Sequence, residues 1–541
     1  MANSYDVVVI GSGFGGAVSA CRLAQSGRSV CILERGKQWD GLAFPRSIGQ
    51  VAQAWWEPGR SYGFLEYKVF RKIDVIQGSG VGGGSLHYFN VTLRTPADIF
   101  EKPQWPRPIT RKVLDPYYDL VEDMLEAKRL VPPDGFDLPP RTRAFIQAAS
   151  IAGKDPELVP IAVYTGKDRR NPHSGIPQQA CDYTGDCMLG CRIHAKNSLT
   201  LNYLPLATRN GAEIRPLHQV SKIEPVDGGG YKVHFEQIDP NDPEHPAHGH
   251  LLARTVIVSA GTLGSTELLL RCKNVHKTLP DLGPALGTRF SSNGDFLLAG
   301  TLNSNREIDP SQGPSITAGA DFSTANNRIF IEDLGYPNPF FWLLEGMLPS
   351  PSRLGDLFEA AKTYILAALG WSNGRTRFNV DADDVFKGGL ASRFLPYLGM
   401  GTDAADGRMY LKDGSIDVDW SPAKSMQMFK EMEKALEQLS RGIGGDYVTS
   451  LLWRWPWRKL LTAHPLGGCA MGESPETSVV NADGKVWKYP DLYVADGSIV
   501  PTALAVNPSN TIAALAERVA FRMINGDDLQ AGDSRVPPAN A

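Results

Sequence analysis

The opening of this chain runs strand, glycine turn, helix, strand, acid, and that order leaves few folds open to it. Asp6-Val7-Val8-Val9-Ile10 is a short apolar run of the kind buried in a parallel sheet. Gly11-Ser12-Gly13-Phe14-Gly15-Gly16 follows as a G-x-G-x-x-G turn. Its first glycine makes the tight turn, its second lets backbone approach a pyrophosphate, and its third lets helix pack on strand. A helix is expected over Ala17 to Gln25, stopped by Gly27, and a second strand over Ser29 to Leu33. The helix N-terminus turns free N–H groups and a positive dipole end towards the phosphates. Glu34 closes the second strand, placed to bond ribose hydroxyls. Arg35 opens a reading in which a 2′-phosphate is bound, against which the Glu34 carboxylate argues by repulsion.

At 541 residues the chain is too long for one ordinary domain. An apolar content of 42% and 55 glycines suit an α/β enzyme rich in tight turns. A net charge of −4 carries no nucleic-acid signature. No uncharged apolar run reaches the length of a membrane-spanning helix. The first strand starts so near Met1 that no secretory leader is expected, and seven cysteines in this length suggest a reduced, cytoplasmic protein rather than a disulfide framework.

A second glycine cluster, Gln77-Gly78-Ser79-Gly80-Val81-Gly82-Gly83-Gly84-Ser85-Leu86, is a poor helix and a poor strand. It is either a flexible linker or a second close approach of backbone to cofactor. Its place after an apolar strand expected over Phe70 to Ile76 favours the second, with Gly78, Gly83, Gly84, Ser85 and Asn90 near the cofactor. Near the C-terminus stand Thr462-Ala463-His464-Pro465-Leu466-Gly467-Gly468-Cys469 and Ala505-Val506-Asn507-Pro508-Ser509-Asn510. An imidazole can take or give a proton near neutral pH, which makes His464 a candidate acid or base; Asn507 donates and accepts hydrogen bonds without ionising. Alone, His464 reads equally well as a satisfied structural histidine.

Taken together, the first fingerprint, Gly80-Val81-Gly82-Gly83-Gly84-Ser85-Leu86, Leu114-Asp115-Pro116-Tyr117-Tyr118 and the ordered His464/Asn507 pair resemble the glucose–methanol–choline family of FAD oxidoreductases. The HPLGGC and VNPSNT versions look most like its cholesterol oxidase branch. The resemblance implies an interleaved architecture. A Rossmann-type FAD domain with a parallel sheet is assembled from residues 1–100, 210–295 and 456–541. Residues 101–209 form a connecting segment, and 296–455 a substrate domain on an antiparallel sheet. It implies His464 and Asn507 as catalytic residues, with Val220 on the adenine side and Ser259, Ala260 and Gly261 beside the FAD chain. Asp496, Gly497, Asn507, Pro508, Ser509 and Thr511 fall near the flavin.

The resemblance further implies hydride transfer from a secondary hydroxyl of an apolar, sterol-like or terpenoid alcohol to flavin, with O2 or another acceptor taking the electrons. A redox-neutral double-bond isomerase or lyase is the second reading, and a non-enzymatic FAD-binding protein the third. Sterol oxidases of the family carry a glutamate that moves a double bond. The Leu395-Pro396-Tyr397-Leu398 stretch aligns Ala391 with it, leaving Glu332 or Glu345 as substitutes.

Cys181, Cys187, Cys191 and His194 are metal-ligating residue types close in sequence, but their spacing fits no standard zinc pattern, so no metal is expected. Residues 338–344 and a helix expected over Leu357 to Leu369 are apolar enough to be ordinary core or a lid touching a membrane. A helix is expected over Tyr117 to Lys128, a hairpin around Asp413-Gly414, a helix over Met426 to Leu439, a strand over Tyr489 to Asp496, and a disordered tail from Gln530.

Overall fold

The computed structural model describes residues 3–39, 41–303, 306–340, 391–454, 457–530, 533 and 535. The proposed Leu357 to Leu369 helix, most of residues 338–344, Glu345 and most of the tail lie outside them. No described helix is long and apolar enough to cross a membrane.

The protein is a mixed α/β structure built on two main sheets. In the first, Glu213–Arg215, Val30–Leu33, Ser4–Ile10 and Ala247–Val258 run parallel in that order. Leu492–Val494 also pairs parallel with Val256–Val258. Tyr231–Gln237 and His218–Pro225 continue the sheet antiparallel. Val7, Val8 and Val9 are wholly buried, as the apolar run demanded. Helix Phe14–Gln25 packs between Tyr203–Arg209 and the last helix, Ser509–Asn525. The two ends of the chain are thus layered on each other.

The second sheet has six strands, Asp446–Thr449, Phe296–Leu302, Phe394–Gly401, Ile329–Asp333, Ala318–Asp321 and Glu157–Leu158, all antiparallel to their neighbours. Helices Met426–Gly442 and Pro140–Ile151 back it. A small third sheet lies between the two. Leu460–Thr462 pairs parallel with Ile73–Gly78, and Ile73–Gly78 antiparallel with Leu65–Val69. One strand of that parallel pair leads into the second glycine cluster and the other into His464, so the pairing of Thr462 with Val75 sets the two motifs side by side.

Three expectations need correction. The strand foreseen over Phe70 to Ile76 is broken by a turn closed by Phe70 N donating to Ile73 O at 3.0 Å, so it is one arm of a hairpin. The helix foreseen from Tyr117 starts at Arg111, capped by the Thr110 hydroxyl, and carries Pro116 inside it. The strand foreseen over Tyr489 to Asp496 is only Leu492–Val494. The hairpin at Asp413-Gly414 and the Met426–Gly442 helix form as expected.

Candidate functional site

Where the sheets meet there is a cavity of about 830 Å³, within the range of small-molecule and cofactor sites. Gly11, Ser12, Gly13, Phe14 and Gly15 form one wall, Gly78, Gly83, Gly84 and Asn90 another. Glu34, Arg35, Val220, Ala260 and Gly261 line it too, as do Asp496, Gly497, Pro508 and Ser509. His464 and Asn507 both face it. Three expected residues stand behind the wall instead. Gly16 packs under the Gly11 carbonyl. The Ser85 hydroxyl donates to Gly82 O at 2.7 Å and accepts from Leu199 N at 3.1 Å. The Thr511 hydroxyl bonds Thr95 at 2.8 Å and Tyr118 at 2.7 Å.

The two glycine segments touch backbone to backbone. A Cβ on Gly83, whose φ is +52°, would lie 2.6 Å from the Gly13 Cα. A Cβ on Gly15 would lie 1.4 Å from the Ala495 carbonyl oxygen. The second cluster is therefore no linker. Helix Phe14–Gln25 begins without a side-chain cap, as does Ser509–Asn525, so both present uncapped N-termini at the cavity. The cavity also gathers polar atoms that lack a partner: His87 Nε2, Asn90 Oδ1 and Asn507 Oδ1. Buried polar groups of this kind are ordinarily hydrogen-bonded. The bare backbone and these unpaired atoms would suit a long, polar cofactor.

Several carboxylates are fixed by the protein itself. Glu34 accepts from Ser12 N at 3.0 Å, Ser12 Oγ at 2.7 Å and Gly36 N at 2.9 Å, tying the glycine turn to the strand end. Asp496 accepts from Gly261 N at 2.9 Å and Ser498 N at 2.8 Å, and burial raises its pKa. Arg35 is paired with Glu66 and lies 5.3 Å over the Trp56 ring. Burial pushes Glu66 up, but Arg35 and Lys68 hold it down at about 2. An arginine so engaged is not held out for a 2′-phosphate, which removes the support for that reading.

His464 Nδ1 stands 2.9 Å from Asp295 Oδ1, and Asp295 is fully buried. Asn507 Nδ2 donates to Glu332 Oε2 at 3.2 Å. Glu332 is fully buried, and desolvation raises its pKa well above the carboxylate range. Ala391 opens a short 3-10 turn, whereas Glu332 pairs with Leu398 across the sheet and reaches Asn507. Burial lowers the His87 pKa to about 3, so the ring is neutral. Asp295 and His87 escaped the sequence reading. His87 carried a faint signal, lying between the glycine cluster and Asn90.

The cysteine segment is engaged elsewhere. Cys187 Sγ accepts from Asn90 Nδ2 at 3.2 Å, Cys191 Sγ from Lys196 N at 3.4 Å, and His194 Nδ1 contacts Pro177 O at 3.0 Å. Among the described residues no cluster of three or more histidines, cysteines or acids is arranged to hold a metal ion.

The GMC oxidoreductase family models match residues 5–290 and 406–516. A cholesterol oxidase of Acinetobacter baumannii is 29% identical, over 95% of this chain and 93% of its own. A long-chain-alcohol oxidase of Arabidopsis thaliana is 24% identical, over 97% of this chain and 68% of its own. The crystal structure of pyridoxine 4-oxidase from Mesorbium loti superposes with a TM-score of 0.61 at 17% identity, covering 96% of this chain and 98% of that one, which shows a shared fold. With the first match alone spanning more than half its length, the chain belongs to the GMC oxidoreductases, and is an FAD-dependent enzyme that oxidises alcohols.

Proposed function

We propose that this protein oxidises the secondary hydroxyl of an apolar alcohol, sterol-like or terpenoid, to a ketone. The observation that carries the reading is His464 and Asn507 facing one cavity whose lining also includes Trp55, Phe89, Met188, Leu297, Tyr336 and Phe340. FAD supplies the hydride acceptor when bound, and O2 or another oxidant takes the electrons onward. His464 Nε2 takes the hydroxyl proton, and the Asn507 amide holds the oxygen that becomes the carbonyl. The apolar walls keep water out and seat the carbon skeleton. His464→Ala should keep its yellow FAD and lose alcohol turnover by about 10²–10⁴-fold. Anaerobic mixing with the alcohol should bleach the flavin of the parent protein. Undiminished turnover in His464→Ala defeats the reading.

Glu332 favours a second activity on the same substrate. Its buried carboxyl accepts from Asn507 Nδ2, and as the carboxylate it would take a proton from one carbon of the ketone and return it to another, shifting the double bond. Glu332→Gln should oxidise the alcohol and release the unshifted ketone. Bleaching absent, with a double bond still moved, would favour the redox-neutral isomerase or lyase.

The same proposal includes a transient contact with a membrane. Val69 is 65% exposed, Trp457 64% and Leu452 42%. They gather where the Lys72 ammonium meets Trp457 O at 2.7 Å and Lys459 N meets Leu452 O at 2.9 Å. Apolar tips among Arg71, Lys72 and Arg454 suit an anionic lipid surface. Flotation with anionic vesicles should carry the parent protein but not Trp457→Ser/Val69→Ser; equal flotation refutes the contact. The seven cysteines are free thiols, the state kept in a reducing cytoplasm.

A further inference from the structure

We propose that the turn Ser291-Ser292-Asn293-Gly294-Asp295 is the positioning element of the active site, with Asp295 setting the tautomer of His464 and Asn293 setting the place of Asn507. The inference rests on the alcohol-oxidation reading. Two positioning residues, two apart in sequence, each serve one of two catalytic residues that are themselves far apart.

Asp295 works on the histidine segment. Its Oδ1 lies 2.9 Å from His464 Nδ1, while its Oδ2 accepts from Thr462 Oγ1 at 2.8 Å and Ala463 N at 3.0 Å. A carboxylate only accepts, so Nδ1 must carry the hydrogen and Nε2 the lone pair. Nε2 is the nitrogen left to take a hydroxyl proton, and the positive charge that proton brings to the ring is met by the Asp295 carboxylate. Asn293 works on the other segment. Its Nδ2 donates to Val506 O at 2.9 Å, and its Oδ1 accepts from Leu504 N at 2.8 Å and Ala505 N at 3.1 Å. Those are the three residues just before Asn507.

The turn itself is held rigid. Ser291 N and O form a reciprocal pair with Leu466 O and N, both at 3.0 Å. Asp403 accepts from Ser291 Oγ at 2.6 Å and from Ser292 N and Oγ, each at 2.8 Å. Ser291, Ser292, Asn293 and Asp295 are all fully buried. Asn293 adopts a φ of +56°, a left-handed conformation that asparagine tolerates. A shift of this turn would move both catalytic groups together, which makes their separation a property of five residues.

The test is a pair of double-mutant cycles on the FAD-loaded protein, read as the rate at which alcohol reduces the flavin anaerobically. Asp295→Asn should cut that rate by about 10²-fold or more. FAD content and the rate at which dithionite reduces the flavin should stay unchanged. Asp295→Asn/His464→Ala should be no slower than His464→Ala, because a positioning residue has nothing left to position. Asn293→Asp, which removes the donor to Val506, should cost about tenfold, and that cost should vanish in an Asn507→Ala background. Additive losses in either cycle, or an Asp295→Asn rate within about threefold of the parent, overturn the inference. If Asp295→Asn does not hold FAD, the Asn293 cycle alone decides. Normal turnover by His464→Ala would instead strike the alcohol-oxidation reading itself.

Discussion

Glu517→Met should destabilise the protein more than the removal of three polar partners at once. Arg22, in the first helix, forms a two-pronged pair with Glu517, in the last: Nε to Oε2 and Nη2 to Oε1, each at 2.8 Å. The Tyr203 hydroxyl donates to the same Oε1 at 2.7 Å. Both charged side chains are buried, at 4% and 2% exposure. Breaking one partner of such a pair leaves an uncompensated charge in the interior and costs about 3–5 kcal/mol. With about 2.1 cal/mol/K per residue of unfolding entropy, 541 residues unfolding as one unit lose about 3–4 °C of Tm. The last helix begins two residues after Asn507, so FAD fluorescence should be released at the same lowered temperature as the tryptophan signal changes. Arg22→Met/Tyr203→Phe/Glu517→Met, which replaces the whole network by apolar groups, should return to within about 1–2 kcal/mol of the parent. If Glu517→Met proves as stable as that triple variant, the buried charge is being compensated by something else and the reasoning fails.

Two further perturbations read other parts of the structure. Gly15→Ala puts a methyl 1.4 Å from the Ala495 carbonyl, an overpacking worth about 1–3 kcal/mol. It should purify with little FAD by visible absorbance, and a fully yellow variant would show that the turn has slack. Glu332→Gln should become more stable relative to the parent as pH rises. Burial raises the folded pKa of Glu332, so the folded state keeps a proton that the unfolded chain releases above about 4.3. The parent therefore loses stability as pH climbs from that value towards the folded pKa, and the amide does not. Melting temperatures of both proteins across about pH 4 to 8 check this; a constant gap refutes it.

Much of the fold was legible because its demands fall on residue type. A backbone that must pass another at contact distance can only be glycine, so Gly11, Gly15 and Gly83 announce the cofactor wall whatever surrounds them. The all-apolar Val7-Val8-Val9 run can only be a strand covered on both faces. His464 and Asn507 were legible as members of two motifs. What stayed hidden depends on partners distant in sequence. Arg35 carries the same charge whether it meets a phosphate or Glu66, and only the hairpin of Leu65–Val69 with Ile73–Gly78 decides which. That hairpin was itself misread, because the alternation through Phe70 to Ile76 looks the same with or without a turn inside it.

Glu332 and Asp333 show the limit most sharply. They are adjacent acids on one strand, both fully buried, and nothing in their residue type separates them. Successive side chains on a strand point to opposite faces. One face brings Glu332 to Asn507, where it has a single amide donor and its other oxygen has no partner. The other brings Asp333 to the Thr142 hydroxyl at 2.8 Å, the Thr317 hydroxyl at 2.9 Å, and the N–H groups of Thr317 and Ala318 at 2.8 Å, with Arg141 nearby at 3.4 Å. Four donors make Asp333 a structural knot, whereas burial with a single donor raises the pKa of Glu332. Moving the strand by one residue would exchange the two roles. Which acid reaches Asn507 is therefore decided by the pairing of Glu332 with Leu398 across the sheet, a matter of register that residue type does not carry.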